Sequence, residues 1–389
     1  MRALVVGGGS GIGLAVVKEL LDKGIEKVYI VSKNVPDFKA LGNNYSDYKT
    51  KISYIKHNLI NYNEEIFDFA EKIDILIITA GFGRVAPFEQ LSEAEVKNLL
   101  QVNFEAPARI IKKYYSKISG NNNFYSAVLV SICGQIVSPL FSAYGAAKGG
   151  LRFLIENLNC ELQAKGCANR ILDVSPGSLN GTAFNGGAND LTKLQEISKS
   201  IVQQMFDRKT LFIPKYDEIY KNVLTRYSEN KEKFGQESYQ FKISNNRIVD
   251  KPQVVVGYLS GTFDLFHIGH LNLLKRAKEE CDYLIVSIHK SGSWKGKETF
   301  IPYDERCEIV KSIKYVDEIV EDYEEDSDAW NVYHYDKLFV GSDYKGTERF
   351  NRYEKILHGK AEIIYFPYTK ETSSTELRAA IKKDSDSSK

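Results

Sequence analysis

Two sets of residues in this chain of 389 have the types and spacing to do chemistry. The first is Gly261-Thr262-Phe263-Asp264-Leu265-Phe266-His267-Ile268-Gly269-His270. An apolar run from Val254 to Leu259 precedes it. Leu271-Asn272-Leu273-Leu274-Lys275-Arg276-Ala277, amphipathic at helical spacing, follows it. A strand end thus meets a helix start. Backbone N–H groups and the positive end of the helix dipole converge there, which suits phosphate. His267 and His270 flank the turn, where two hydrogen-bonding imidazoles would stabilise negative charge building on a phosphoryl group in transfer. The chain holds only six histidines, so two beside one glycine turn favour a site over incidental placement.

The second set is Ser131, Tyr144 and Lys148. The four-residue spacing of Tyr144 and Lys148 puts both on one face of a helix. A nearby ammonium favours the phenolate and should lower the tyrosine pKa. Tyr144 can then give its proton to a carbonyl oxygen as hydride arrives at the carbon, with Ser131 holding that oxygen.

The elements that must position these groups are legible. Residues 3–7 read as a strand, and Gly7-Gly8-Gly9-Ser10-Gly11-Ile12-Gly13 as a turn that lets the chain approach a pyrophosphate before a helix from about Leu14 to Leu21. Further strands are expected at 28–31, 52–55, 73–78, 127–131 and 170–174, and a long helix over 93–115 carrying Asn103. The second strand ends at Ser32-Lys33-Asn34, without the acidic residue that accepts the ribose hydroxyls of NAD. Lys33 could pair with the 2′-phosphate of NADP, or be a solvated surface lysine. Asn58 sits where a side chain could meet adenine, and Thr182 where it could touch the cofactor amide or phosphates. Asn180, Gly181, Thr182, Asn185, Gly186 and Gly187 make 178–206 a polar substrate lid. Arg208 and Lys209 are either substrate-phosphate anchors or a solvated face, the latter favoured. In the second half, strands are expected at 283–288, 337–340 and 362–366. Lys295 and Lys297 lie on a loop where ammoniums could neutralise a triphosphate.

This first half resembles the short-chain dehydrogenase/reductase family over about residues 1–225, through the spacing Gly7-x-x-x-Gly11-x-Gly13 and the Ser131, Tyr144, Lys148 set. The resemblance implies that Asn103 joins these three as a catalytic residue, holding a water in a proton relay. It implies that Ala80 and Gly81, in a turn where Thr79 replaces the usual asparagine, line the nicotinamide, and that Pro176 and Gly177 pack near it. The second half, roughly 253–380, resembles the HxGH nucleotidylyltransferases, specifically the glycerol-3-phosphate cytidylyltransferase family. That resemblance implies catalytic roles for His267, His270 and Lys295. It implies nucleotide or acceptor binding by Gly261, Thr262, Phe263, Asp264, Lys297, Arg306 and Asp343, with Arg306 on the acceptor phosphate. Thr369, Ser373, Ser374 and Thr375 match a phosphate-holding helix start, although Tyr368 stands where the family has arginine and Lys370 is a candidate substitute.

The expected fold is α/β: two Rossmann-like α/β/α domains, each with a central parallel sheet, over 1–235 and 253–389, joined by a linker at 236–252. The expected activities are NADPH-dependent reduction of a keto-sugar phosphate of the ribulose 5-phosphate type, and transfer of a cytidylyl group from CTP to the resulting polyol phosphate. The products would be a CDP-alditol (CDP-ribitol or CDP-glycerol type) and pyrophosphate. This is similar to bacterial routes that activate polyol phosphates for teichoic acid or capsule polymers. Mg²⁺ is expected on the CTP phosphates, with no protein metal site. Two alternatives stand beside this: a glycerol-3-phosphate cytidylyltransferase fused to a reductase of unrelated substrate, or one half serving as a non-catalytic oligomerisation scaffold.

Composition sets the remaining bounds. Charged residues make up 26% and the formal net charge is +1, so nothing global points to nucleic acid or membrane partners. Five cysteines without a CxxC pair fit a reducing cytoplasm rather than a disulfide scaffold. Residues 3–6 begin a strand with no signal segment before it, and no apolar run approaches a spanning length. Both family resemblances imply a homo-oligomer, dimer or tetramer.

Overall fold

The computed structural model describes residues 1–42, 45–70, 73–185, 188–250, 254–290 and 299–367. The chain divides into two compact units, Met1–Gln253 and Val254–Lys389.

The first unit is built on seven strands: β1 (Arg2–Val6), β2 (Lys27–Ser32), β3 (Ile52–Lys56), β4 (Ile75–Ile78), β5 (Tyr125–Leu129), β6 (Ile171–Val174) and β7 (Leu211–Phe212). They lie in the order β3-β2-β1-β4-β5-β6-β7, every neighbouring pair parallel. Strands covered on both faces must be apolar throughout, and Ala3-Leu4-Val5-Val6 and Ile75-Leu76-Ile77-Ile78 are fully buried. Val5, Ile30 and Ile77 pack with Leu14 and Val17 of the helix Gly11–Asp22 and with Val202 and Met205 of the helix Gln195–Phe206. On the other face, Leu4, Val6 and Leu76 pack with Ile110, Leu151 and Ile155. Order reverses between β1 and β4, and in such sheets ligands bind beyond the strand ends at that switch. β7 escaped the sequence reading because two residues, one of them exposed, carry no periodicity.

Residues 93–115 are not one regular helix. Glu93–Leu100 and Ala106–Lys113 are α-helical, and Gln101–Glu105 between them forms a wider π turn centred on Asn103. Such bulges recur at functional sites, where they re-aim a side chain. The stretch read as a linker, 236–252, also differs: it begins inside the helix Lys231–Ser244. Beyond that helix the Val249 N–H donates to the Val85 carbonyl, and Arg84 donates to the carbonyls of Val249 and Asp250. Its Ser and Asn residues suggested a turn, but these long-range bonds to residues 84 and 85 are invisible to local composition.

The second unit has five strands: β8 (Val256–Gly261), β9 (Tyr283–Ile288), β10 (Glu318–Val320), β11 (Lys337–Gly341) and β12 (Glu362–Phe366). They pair in parallel in the order β10-β9-β8-β11-β12. Leu259, Leu274, Leu284, Val286, Val310 and Phe339 form the core on one face. Tyr258, Ile285, Tyr335, Leu338, Phe350 and Tyr353 form the core on the other. The switch lies between β8 and β11, which end at Gly261 and Gly341. Both units are therefore α/β layers around a parallel sheet. Among the described residues no helix is long and apolar enough to cross a membrane.

Candidate active sites

In the first unit the glycine turn closes tightly on the switch point. Gly7 has φ +88°, and a Cβ there would stand 2.4 Å from the Ala80 nitrogen. A Cβ at Gly13 would stand 2.2 Å from the Gly7 carbonyl oxygen and 2.5 Å from Thr79 Oγ1. Only glycine permits this approach of the helix start to β1 and β4. Thr79, in place of the family asparagine, donates its hydroxyl to the Val6 carbonyl at 3.1 Å and so ties β4 to β1. Ser10 caps the helix Gly11–Asp22 with its hydroxyl unused for capping, and no acidic side chain sits in the first turn. Thr182 Cβ lies 3.7 Å from a Cβ placed on Gly11, beside the same turn. Ser32 ends β2 and Lys33 follows it, exposed. Asn58 caps the next turn, its Oδ1 accepting from the Ile60 N–H at 3.2 Å. A dinucleotide fits this cradle: a helix start with no side-chain cap and no acidic residue in its first turn, behind a close-approach glycine turn.

The reducing end is assembled from four elements. Ser131, just after β5, accepts from the Cys133 N–H at 3.1 Å. Tyr144 and Lys148 project from the helix Ser142–Ala164, with 6% and 2% of their surface exposed. The Lys148 ammonium donates to the Leu129 carbonyl at 2.8 Å and lies 5.8 Å from the centre of the Tyr144 ring. Asn103, fully buried, donates to the carbonyls of Phe82 at 2.8 Å and Leu99 at 3.0 Å. Its Oδ1 is buried without a hydrogen-bond partner. A buried acceptor left open in this way calls for a water or ligand donor.

The electrostatics differ from the sequence expectation. Burial pushes the Tyr144 phenol above its ordinary value, the Cys133 charge adds to this, and the Ser131 hydroxyl pulls it back only in part. The phenol is thus held protonated rather than activated as phenolate, because desolvation dominates. Burial also brings Lys148 down to about 7, against the opposing pull of Asp173. A protonated tyrosine is the form that donates in the reducing direction.

Arg208 is not at this site. It donates to Asn123 Oδ1 and Asn169 Oδ1 at 2.7 Å each, at the opposite end of β5 from Ser131. Sequence reasoning missed the aromatic wall around Tyr144, where Phe141 lies 5.0 Å and Phe184 5.5 Å away between ring centres. It also missed Tyr220, whose hydroxyl would meet a Cβ on Gly177 at 1.6 Å, directly over the Pro176-Gly177 turn. Phe184 and Tyr220 carry no local signal, since both arrive from distant segments.

In the second unit Phe263 and Leu265 hold φ of +52° and +48°. Two bulky residues in the left-handed region of one turn store strain of the kind found at functional sites. The turn delivers His267 to the N-cap of the helix Ile268–Glu279, where its Nδ1 accepts from the Gly269 N–H at 3.0 Å. His270 Nδ1 accepts from the His267 N–H at 3.4 Å. With both Nδ1 atoms accepting, each neutral ring carries its proton on Nε2. The ring centres are 4.0 Å apart. Burial, then the His267 charge, pushes His270 down to about 3, and burial lowers His267 as well. The pair consists of neutral donors, not imidazolium cations.

Two residues expected at the ligand, Arg306 and Asp264, are buried and hold backbone groups around the turn. Arg306 is fully buried, and its guanidinium donates to the carbonyls of Ile301 at 3.0 Å, His289 at 2.9 Å and Lys290 at 3.1 Å, and to that of Thr262. It fastens the His267 turn to the segments after β9. Asp264, also buried, accepts from the N–H groups of Phe300 and Ile301. Asp343, exposed after β11, comes within 2.4 Å of a Cβ placed on Gly341. Lys295, Lys297, Thr369, Ser373, Ser374 and Thr375 lie outside the described residues, as do Tyr368 and Lys370.

Comparison with known proteins bears on both sites. Residues 1–193 match the family model described as short chain dehydrogenase, and residues 258–380 the one described as Cytidylyltransferase-like. Over 125 residues the chain is 34% identical to the glycerol-3-phosphate cytidylyltransferase of Bacillus subtilis (strain 168), covering 31% of this chain and 92% of that protein. It is also 34% identical over 125 residues to the Staphylococcus aureus (strain NCTC 8325 / PS 47) protein of the same name, covering 30% and 88%. A short-chain dehydrogenase structure from Streptomyces avermitilis shares the fold with a TM-score of 0.50 at 20% identity, over 63% of this chain and 99% of that one. The chain therefore belongs to the short-chain dehydrogenase family through its first unit and to the glycerol-3-phosphate cytidylyltransferase-like family through its second, and is a bifunctional enzyme.

Proposed function

We propose that the second unit transfers a cytidylyl group from CTP to a small polyol phosphate of the glycerol 3-phosphate class, and that the first unit makes such an acceptor by NADPH-dependent reduction of the matching ketose phosphate. The observation that carries the reading is the pair of neutral imidazoles at the helix start beyond β8. An oxygen of the acceptor phosphate attacks the α-phosphorus of CTP, and the bond to pyrophosphate breaks. Charge accumulates on the phosphate oxygens as this happens. Two Nε2–H donors and the helix N-terminus offset it without reorganising. Mg²⁺ would arrive on the triphosphate as part of the substrate. Among the described residues no group of three or more His, Cys, Asp or Glu side chains could hold one.

In the first unit Gly7, Gly11, Ile12 and Gly13 would seat the cofactor pyrophosphate, and Lys33 would face the 2′-phosphate. Ala80, Gly81, Pro176 and Gly177 would border the nicotinamide, which supplies the hydride when bound. Ser131 orients the carbonyl oxygen, and Tyr144 delivers a proton to it. Lys148, bonded to the Leu129 carbonyl, returns a proton to the phenol through a water that the open Oδ1 of Asn103 would hold. The joint product, a CDP-alditol, is of the kind used to build cell-surface polyol phosphate polymers.

The test is a panel on the full chain with NADPH, CTP and Mg²⁺. Ribulose 5-phosphate, xylulose 5-phosphate, fructose 6-phosphate and dihydroxyacetone phosphate are offered in turn, beside glycerol 3-phosphate and ribitol 5-phosphate without NADPH. One ketose phosphate should drive both NADPH loss and formation of a CDP-linked product. Transfer to glycerol 3-phosphate with no ketose phosphate reduced would support the second reading, a reductase of unrelated substrate. The family match of the second unit to glycerol-3-phosphate cytidylyltransferases favours that reading independently.

A further inference from the structure

The first unit carries a cation that the chemistry above leaves unused. Lys242 projects from the helix Lys231–Ser244, outside the residues 1–193 that match the dehydrogenase family. Its ammonium donates to the Pro139 carbonyl at 2.5 Å, the Ser138 hydroxyl at 2.8 Å and the Ser238 hydroxyl at 3.5 Å. It also lies 5.8 Å from the centre of the Phe141 ring, and Phe141 packs 5.0 Å from Tyr144. One aromatic ring therefore separates this ammonium from the proton donor. Cys133, two residues beyond Ser131, lies within electrostatic reach of Tyr144, Tyr220 and Lys242 alike.

The charge balance at Lys242 is unusual. Among the described residues it meets only neutral oxygens. Lys113, by contrast, sits against both Asp68 and Glu64. A half-buried ammonium loses hydration, and neutral acceptors offset that only in part. Burial accordingly holds its pKa below the ordinary lysine value. Such a group gains most from a ligand that brings the missing negative charge in exchange for the long 3.5 Å contact to Ser238. Ser138, whose oxygen already accepts from the ammonium, keeps its own O–H to give to the same anion.

We propose that Lys242, with Ser138, is an anion-binding subsite of the reductase, taking the phosphate of a phosphorylated ketone whose carbonyl oxygen meets Tyr144 and Ser131. The proposal rests on the reading of the first unit as a ketose phosphate reductase and adds the group that selects the phosphate. A helix beyond the matched family residues thereby sets the substrate class.

The experiment compares kcat/KM for ribulose 5-phosphate and for ribulose, with NADPH, in the full chain and in Lys242→Met and Lys242→Arg. Losing a charge-assisted contact should raise KM for the phosphorylated ketose about 10- to 100-fold. Ribulose reduction should change less than about threefold, so the preference for the phosphorylated substrate collapses. Lys242→Arg should keep most of that preference. Equal losses on both substrates would show a structural role for the lysine and overturn the subsite, as would an unchanged preference in Lys242→Met. If the parent chain binds NADPH yet reduces no ketose phosphate, the underlying reading fails first. That outcome is separable because it appears before any substitution is made.

Discussion

Asn103 and Lys148 close on the same glycine. A Cβ at Gly81 would stand 2.8 Å from Asn103 Oδ1 and 3.4 Å from Lys148 Nζ. The three residues come from the end of β4, the π turn and the long helix, and nothing larger than hydrogen fits between them. Gly81→Ala should therefore push the open amide oxygen and the ammonium apart. We expect reductase kcat to fall about 100-fold and stability to fall by about 1–3 kcal/mol. Cytidylyl transfer should be untouched. Steady-state kinetics of both reactions on one preparation check this.

Lys148 is a buried charge whose folded-state pKa is depressed to about 7. Below that value the native state must bury an ammonium, and the full cost is present. Between pH 7 and the ordinary lysine value the unfolded chain holds a proton that the native chain has released, so stability rises with pH. Lys148→Met should thus stabilise the first unit by about 1–2 kcal/mol at pH 6, with the gain shrinking toward pH 10. It should also abolish ketone reduction. A melting series across pH tests the sign, and a gain that grows with pH would contradict it. Tyr144→Phe should remove the redox step and leave nucleotide transfer intact.

His270 is held neutral, with its pKa near 3 against an ordinary 6.5. A depressed histidine pKa contributes stability that is fully present above 6.5 and is lost as pH falls through this window toward 3. The limiting loss is roughly 5 kcal/mol. Both tryptophans, Trp294 and Trp330, belong to the second unit, so their emission reports its unfolding in the full chain. Urea midpoints read this way should fall steeply below pH 6.5. In His270→Asn the slope should flatten by about one proton, and CTP-dependent product should disappear while NADPH oxidation continues.

The extent to which these sites were readable follows from how local their signals are. Tyr144 and Lys148 share a helix face, and His267 and His270 share a turn, so spacing alone brings each pair together. Apolar runs placed ten of the twelve strands among the described residues, and the two that escaped, β7 and β10, are two and three residues long. Roles that depend on burial were not legible. Arg306 reads as a phosphate ligand in one dimension and as a clamp on carbonyls once its surroundings are known. The Tyr144 phenol reads as activated beside a lysine, yet desolvation of both groups reverses the expected shift. Lys242 lies 98 residues beyond Tyr144 and shows no pattern at all.

The Arg84–Glu95 pair ties the end of the first unit to its core. Arg84 Nη1 donates to both Glu95 oxygens, at 2.7 and 2.9 Å, while Nε and Nη2 hold the carbonyls of Val249 and Asp250. Both side chains are almost fully buried. Arg84→Met would leave an unpaired buried carboxylate and two open carbonyls, costing about 3–5 kcal/mol. Limited proteolysis should then cut near residues 245–250 at protease concentrations that spare the parent chain. Glu95→Gln, which keeps the capping bonds to Ser92, should cost less than Arg84→Met.

Arg306 gives the sharpest division between a ligand contact and a support. A phosphate ligand, once removed, raises KM for the acceptor and leaves the fold as stable as before. The observed arginine donates to four backbone carbonyls, two of them from residues 289 and 290 and one from Thr262 in the His267 turn. Lysine cannot reach four carbonyls with one ammonium. Arg306→Lys should therefore destabilise the second unit by about 2–4 kcal/mol, read by tryptophan emission, because buried carbonyls lose their donors. The loosened turn no longer holds the two imidazoles at a fixed distance, so kcat for cytidylyl transfer should fall about 10- to 100-fold while KM for the acceptor moves less than threefold. A variant with native stability and a raised acceptor KM would restore the arginine to the phosphate.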